Sequence, residues 1–371
     1  MIREGRSAIL GLLVFGCCLA FMSASGEARS MKHVVVWGEP GRFGGWPANN
    51  GVWIWGNEIV VGFSRGYYDK KSDEHSISRN QGEVPALARS KDGGETWAVE
   101  DHPELNDSVA KPYAGEMDFS HPDFALRCGK NYFHVSYNRG RTWKGPYNLP
   151  DFGKGLKLTA RTDYIVGGKN NAILFLSAEV PGIQAGSYRD RAFCARTTDG
   201  GRTFEFISWI TDEPRAVRSV MPSTVRVSAT ELVTALRRRL DPQGGPRNEI
   251  NWIDAYGSDD NGASWKWLSR VAFTDLGRRN GNPPSLVHLR DGRLCVTYGF
   301  RAIPYGVRAK ISSDKGLTWG QEIILREDGV TWDLGYPRSV VRPDGKIVTI
   351  YYFNALHRRE QHIAATLWDQ K

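Results

Sequence analysis

The 371 residues predict an all-β fold, a six-bladed β-propeller of four-stranded antiparallel blades, and three observations predict it. An eight-residue phrase recurs five times, starting at Ser90, Ser136, Thr197, Ser258 and Ser312, with spacings of 46, 61, 61 and 54 residues that are near or above one blade length. A second repeat, of strand, turn and returning strand, opens six times, at Trp46, His121, Leu158, Met221, Asn282 and Tyr336. The chain is also rich in Gly (41) and Trp (13), and closed all-β architectures of this length run as one unit.

Taken in order, residues 1–26 read as a secretory signal. Arg3 and Arg6 precede an apolar run from Ala8 to Phe21, and small residues follow at Ser23, Ala24, Ser25 and Gly26. The run is too short for a membrane span, so an exported, secreted or periplasmic protein is expected, with residues 27–371 as its propeller domain. Without the signal, Cys128, Cys194 and Cys295 remain, an odd and widely spaced set that reads as buried free thiols. The Val-rich stretch His33–Trp37 reads as a fully buried strand that closes the ring beside the last strand, His362–Trp368.

The openings are hairpins. Their clearest copies, from Pro284 and Pro337, place Asp-Gly at Asp291-Gly292 and Asp344-Gly345 between apolar runs. The eight-residue phrase has the form Ser90-x-Asp92-x-Gly94-x-Thr96-Trp97. Its Asp or Asn bonds the backbone ahead, its Gly supplies positive φ, and its closing aromatic buries apolar surface under the turn. Between the first hairpin and the next strand, Tyr67 to Val84 is a polar insertion that projects over one face.

Superimposing the six openings exposes a further pattern that turn chemistry does not require. The returning strands end at Arg65, Glu179, Arg237, Arg301 and Asn354, and Arg42 lies just before the first opening. By repeat these positions share one face near the axis, opposite the turns. Several arginines near an axis repel unless an anion neutralises them, and a carboxylate matches paired guanidinium donors.

The five phrases resemble the Asp boxes, or BNR repeats, of the sialidase superfamily, and the resemblance covers most of residues 90–319. It implies a β-propeller with the boxes on the face away from the site. It also implies that Arg42, Arg237 and Arg301 hold a substrate carboxylate, with Arg65 as a further arginine. A Tyr nucleophile is implied at Tyr336, and an Asp acid in the insertion, where Asp69 and Asp73 stand with Glu74 and His75 adjacent and the sequence does not choose among them. The sequence departs from the family at Met221, where a Glu that activates the Tyr is expected. Asp163, Glu179, Glu213 and Glu249 are the acids that would replace it, and Glu179 is the best placed by repeat.

The reading is therefore an exported sialidase-like glycoside hydrolase of exo-alpha-sialidase type, acting on terminal acidic sugars. The alternatives are a non-catalytic propeller that binds acidic glycans, and a hydrolase or lyase directed at uronic acids. A monomer with a carboxylated glycan as its partner is expected. The 49 basic and 41 acidic residues make the surface mildly basic, but no Lys/Arg run of nucleic-acid type is present. No phosphate loop, nucleotide fingerprint or His/Cys metal spacing occurs, so neither cofactor nor metal is expected.

Overall fold

A computed structural model describes residue 1 and residues 31–106, 109–181, 188–212, 216–240, 249–276 and 281–370. Beyond Met1, the expected signal segment lies outside the described residues.

The repeated turns fold on their own side chains. In the first, Ser90 Oγ donates to Asp92 Oδ1 at 2.8 Å and accepts the Gly94 amide at 2.7 Å, while Asp92 Oδ1 accepts the Thr96 amide at 2.9 Å. Gly94 takes a φ of +97°, which a side chain would strain. The same hydroxyl-to-amide bond recurs at Gly140, Gly201, Gly262 and Gly316.

The strands build an antiparallel propeller, but not the six blades of four strands that the repeats lead one to expect. The described strands form five sheets, of eight, five, five, four and three strands. Two causes break the expected regularity. In the five-stranded sheets the innermost strand is cut in two: Arg42–Gly45 and Val52–Trp55 both pair with Glu58–Tyr67, and Lys157–Leu158 and Tyr164–Gly168 both pair with Asn171–Pro181. In the eight-stranded sheet, the repeats that open at Asn282 and Tyr336 are fused through the single pair Gly329↔Ala355.

The ring closes between the chain ends, where Met31–Trp37 pairs antiparallel with Arg358–Trp368. The amino-terminal strand is an edge strand and not a fully buried one, because only one neighbour covers it; Val36 and Trp37 are buried while Val35 is exposed. Cys128, Cys194 and Cys295 are all buried, and Cys128 and Cys194 are free thiols. No helix among the described residues is long and apolar enough to cross a membrane.

Ladder register fixes which end of the propeller each group occupies. In the first sheet Ile59 pairs with Ser90, where the repeated turn starts, and Arg65 pairs with Val84 at the other end. In the fourth repeat Leu232 pairs with Ser258 and Arg237 with Ile253, so Arg237 also lies away from the turn.

Candidate active site

Three openings break their inner strand in the same way. Trp46, Met221 and Tyr336 each precede a proline and each sit at positive φ, of 58°, 56° and 49°. Left-handed backbone is costly for side chains of this size, and such strain clusters where a side chain must be aimed. All three side chains are buried in one cluster with Phe43 and Tyr352.

The strain at Tyr336 is held from the neighbouring repeat. Asn282 Oδ1 accepts the Tyr336 amide at 2.6 Å, and Asn282 Nδ2 donates to the Leu334 carbonyl at 3.2 Å. Gly335, at φ +103°, lies so close that a Cβ there would meet Asn282 Oδ1 at 2.2 Å, so no larger residue fits.

Around the phenol stand cations. Arg237 Nη1 donates to Tyr336 Oη at 3.0 Å, and the Arg301 guanidinium carbon lies 5.4 Å from the Tyr336 ring centroid. Burial by itself would raise the phenol pKa, but the charges of Arg237, Arg301 and Arg161 override it and hold the group below its ordinary value. Tyr352, equally buried, goes the other way. Burial raises it well above the ordinary range, and its Oη donates to Asp333 Oδ1 at 2.7 Å while accepting from Arg301 Nη2 at 2.7 Å.

Asp333 is the buried carboxylate beside these residues. Its side chain is 2 % exposed, and it accepts His75 Nδ1 at 2.5 Å and the Ser76 amide at 2.8 Å. Burial opposes its charge, yet the bond to His75, the charges of His75 and Arg301 and the Ser76 amide keep its pKa below the usual carboxylate value. Asn354 positions the loop that carries it, accepting the Val330 and Thr331 amides at 3.0 and 2.8 Å and donating to the Asp333 carbonyl at 3.0 Å. His75 is packed between aromatic rings, 5.3 Å from Trp46 and 5.4 Å from Trp332, centroid to centroid.

The structure thus divides the residues expected from the sequence. Arg237, Arg301 and Tyr336 come together. Arg42 instead donates to the Gly66 carbonyl at 3.0 Å and stacks 4.1 Å over the Tyr67 ring; the third arginine whose charge bears on Tyr336 is Arg161. Arg65 is ion-paired with Asp101, and Ser64, one residue earlier, lines the neighbouring cavity. Glu179 bonds Lys157 at 2.8 Å. The repeat gave these last two positions the right end of the strand, but period-2 alternation turns them to another face.

Asp69 and Asp73 are exposed on the insertion, Asp69 lying 3.6 Å from Lys71, and it is His75 that turns inward. Of the acids proposed to replace the expected Glu, Asp163 bonds Thr224 at 3.0 Å, Glu249 pairs with Arg239, and Glu213 lies outside the described residues. Met221 packs in the same apolar cluster as Tyr336, and the charges that lower the Tyr336 pKa come from arginines. Asp333 and Arg161 escaped sequence reasoning, Asn282 was seen only as the start of an opening, and His75 stood beside Asp69, Asp73 and Glu74 as an undecided candidate of the insertion. Trp46 was legible in principle, because it is the repeat equivalent of Tyr336. No group of three or more His, Cys, Asp or Glu that would hold a metal occurs among the described residues.

No family model matches the chain, and no curated protein matches its sequence. Solved structures do match. The sialidase NanB of Streptococcus pneumoniae superimposes with a TM-score of 0.57 over 87 % of this chain and 68 % of its own, at 11 % identity. This chain has the β-propeller fold of this sialidase. An alpha-L-arabinanase of Penicillium chrysogenum matches as well, with a TM-score of 0.57 over 92 % of this chain and 98 % of that one, at 14 % identity. A protein of unknown function from Dyadobacter fermentans matches at 0.65 over 92 % and 99 %, at 21 % identity. The structures this chain is similar to thus include a sialidase, an arabinanase and a protein of unknown function, and the shared fold by itself assigns no activity.

Proposed function

We propose that this sialidase-like propeller is an exported enzyme that cleaves the glycosidic bond of a carboxylated sugar. The observation that carries the reading is the juxtaposition of Tyr336, bonded to Arg237 among three arginines, with the His75–Asp333 pair on the far side of Tyr352. Arg237, Arg301 and Arg161 neutralise the substrate carboxylate, and His75 protonates the leaving oxygen. Tyr336 Oη attacks the anomeric carbon as that bond breaks. Water then displaces the phenolate, giving its proton to His75, which restores both groups. Asp333 orients His75 and stabilises its cationic form, as a buried carboxylate does for a catalytic imidazole. The arginine field takes the place of the missing Glu: it favours phenolate directly instead of supplying a base to remove the proton.

A second reading follows from the same residues. The titrating groups at the centre are Tyr and His and not two carboxylates, which is also a set for elimination. In that case Tyr336 phenolate removes the proton on the carbon next to the carboxylate, the carbon–oxygen bond to the leaving sugar breaks, a double bond forms, and His75 protonates the departing oxygen. The test is product analysis with purified protein lacking residues 1–26 on sialosides and on uronic-acid glycans. A saturated reducing sugar supports hydrolysis and an ultraviolet-absorbing unsaturated sugar supports elimination. Silence on every carboxylated glycan, with binding unaffected by Tyr336→Phe, would overturn both.

A further inference from the structure

A second basic cavity adjoins the site. It encloses about 660 Å³ and is lined by Asn49, Asn50, Glu83, Arg127, Lys130, Tyr132 and Arg161, among others. Against three cations, Glu83 is the one carboxylate of its lining. Arg161 ties the cavity to the site, lining the one while its charge acts on the Tyr336 phenol of the other.

Arg127 is the unexplained member. It is 5 % exposed, donates from Nη2 to Asn50 Oδ1 at 2.7 Å and is hydrogen-bonded also by Tyr132 in the same lining, so its partners are neutral groups. No carboxylate among the described residues bonds it, and such a buried charge is costly unless something anionic stands near. Arg161 bonds only neutral groups: Asn49 Oδ1 at 3.0 Å and the carbonyls of Thr159 and Ala160.

Resting on the proposed function, we infer that this cavity is a subsite for a second anionic group, one sugar removed from the bond that is cut. The substrate is then a glycan with neighbouring acidic sugars. Exposed Lys130 contacts the second anion, Arg127 attracts it from beneath at the low dielectric of the interior, and Arg161 stands between it and the carboxylate of the sugar that is cut.

The test is calorimetric titration of the protein with inorganic sulfate at fixed ionic strength, followed by galacturonate monomer and dimer and a sulfated disaccharide. Sulfate is expected to bind saturably, at least about tenfold more weakly in Arg127→Gln and several-fold more weakly in Lys130→Gln, which sits on the surface and leaves folding intact. Arg301→Lys, which alters the other anion position, is expected to leave this effect of Arg127→Gln in place. A dimer preference lost in Arg127→Gln assigns the subsite to a carboxylate; the same gain confined to the sulfated disaccharide assigns it to a sulfate. Sulfate affinity indifferent to both Arg127→Gln and Lys130→Gln would overturn the inference, even with sugar release intact. Sulfate binding with no sugar released from any glycan would overturn the enzymatic reading instead.

Discussion

At the turn end of the propeller Asp92 bonds Ser90 and Thr96, two and four residues away; at the opposite end Asp333 bonds His75 and Ser76, 258 and 257 residues away. Both carboxylates have a lowered pKa, Asp92 to about 2, but for different reasons. Asp92 is solvated and held by its own turn, whereas Asp333 is buried and depends on a loop delivered from another blade. Local bonds make a turn that any neighbouring sequence will support. Long-range bonds make a site whose parts have no reason to exist separately.

Breaking the distant end should cost function first. Tyr336→Phe is expected to lower sugar release by roughly 10³-fold or more with little change in thermal melting, since only the hydroxyl is lost. Asp333→Asn should cost both. His75 loses its orienting anion and Arg301 loses a nearby charge, so turnover falls by about 10²-fold or more and denaturant unfolding shows about 3 kcal/mol of lost stability. Equal melting curves for Asp333→Asn and wild type would show that the pair is not structural.

The axis offers an intermediate case. Asp163 lines a cavity of about 290 Å³ with Arg338, Thr162 and Thr224, and burial pushes its pKa up to about 7. A raised carboxyl pKa means that the neutral acid suits the folded state. The contribution is present below about pH 4, the unfolded value, and is lost as pH rises through 7. Wild type is expected to lose on the order of 2–4 kcal/mol across that window, and Asp163→Asn to abolish this drop in urea melts at pH 4 and pH 8.

At the turn end the effects should be smallest. Asp314→Ala removes acceptors for Thr318 and Ser312 and should cost about 1 kcal/mol with activity unchanged. Asp92→Asn should cost under about 0.5 kcal/mol, because the second turn already makes the same bonds with Asn138. A large loss of activity from either would join the two ends and sink the comparison.

The turns and hairpins were legible because their partners lie within four residues and their Gly and Asp requirements are written locally. Arg237, Arg301 and Tyr336 were legible because repeat position carries a side chain to a predictable end of a strand. Arg65 and Glu179 show the limit: alternation sends neighbouring residues to different faces, and interruption of the inner strands in their two sheets is not announced by the pattern. Arg42 shows another, since a long guanidinium takes the nearest carbonyl and ring.

By itself the sequence determined an all-β repeat propeller, its five turns, its ring closure and the presence of arginines at the end opposite the turns. Only the tertiary structure decided that His75 and not Asp69 or Asp73 faces inward, that Asp333 meets it, that the charge of Arg161 bears on Tyr336, and that the described strands group into five unequal sheets. The physical reason is separation along the chain. A bond between residues four apart is encoded in one phrase, while a contact across 258 residues exists only once every blade between them has been packed.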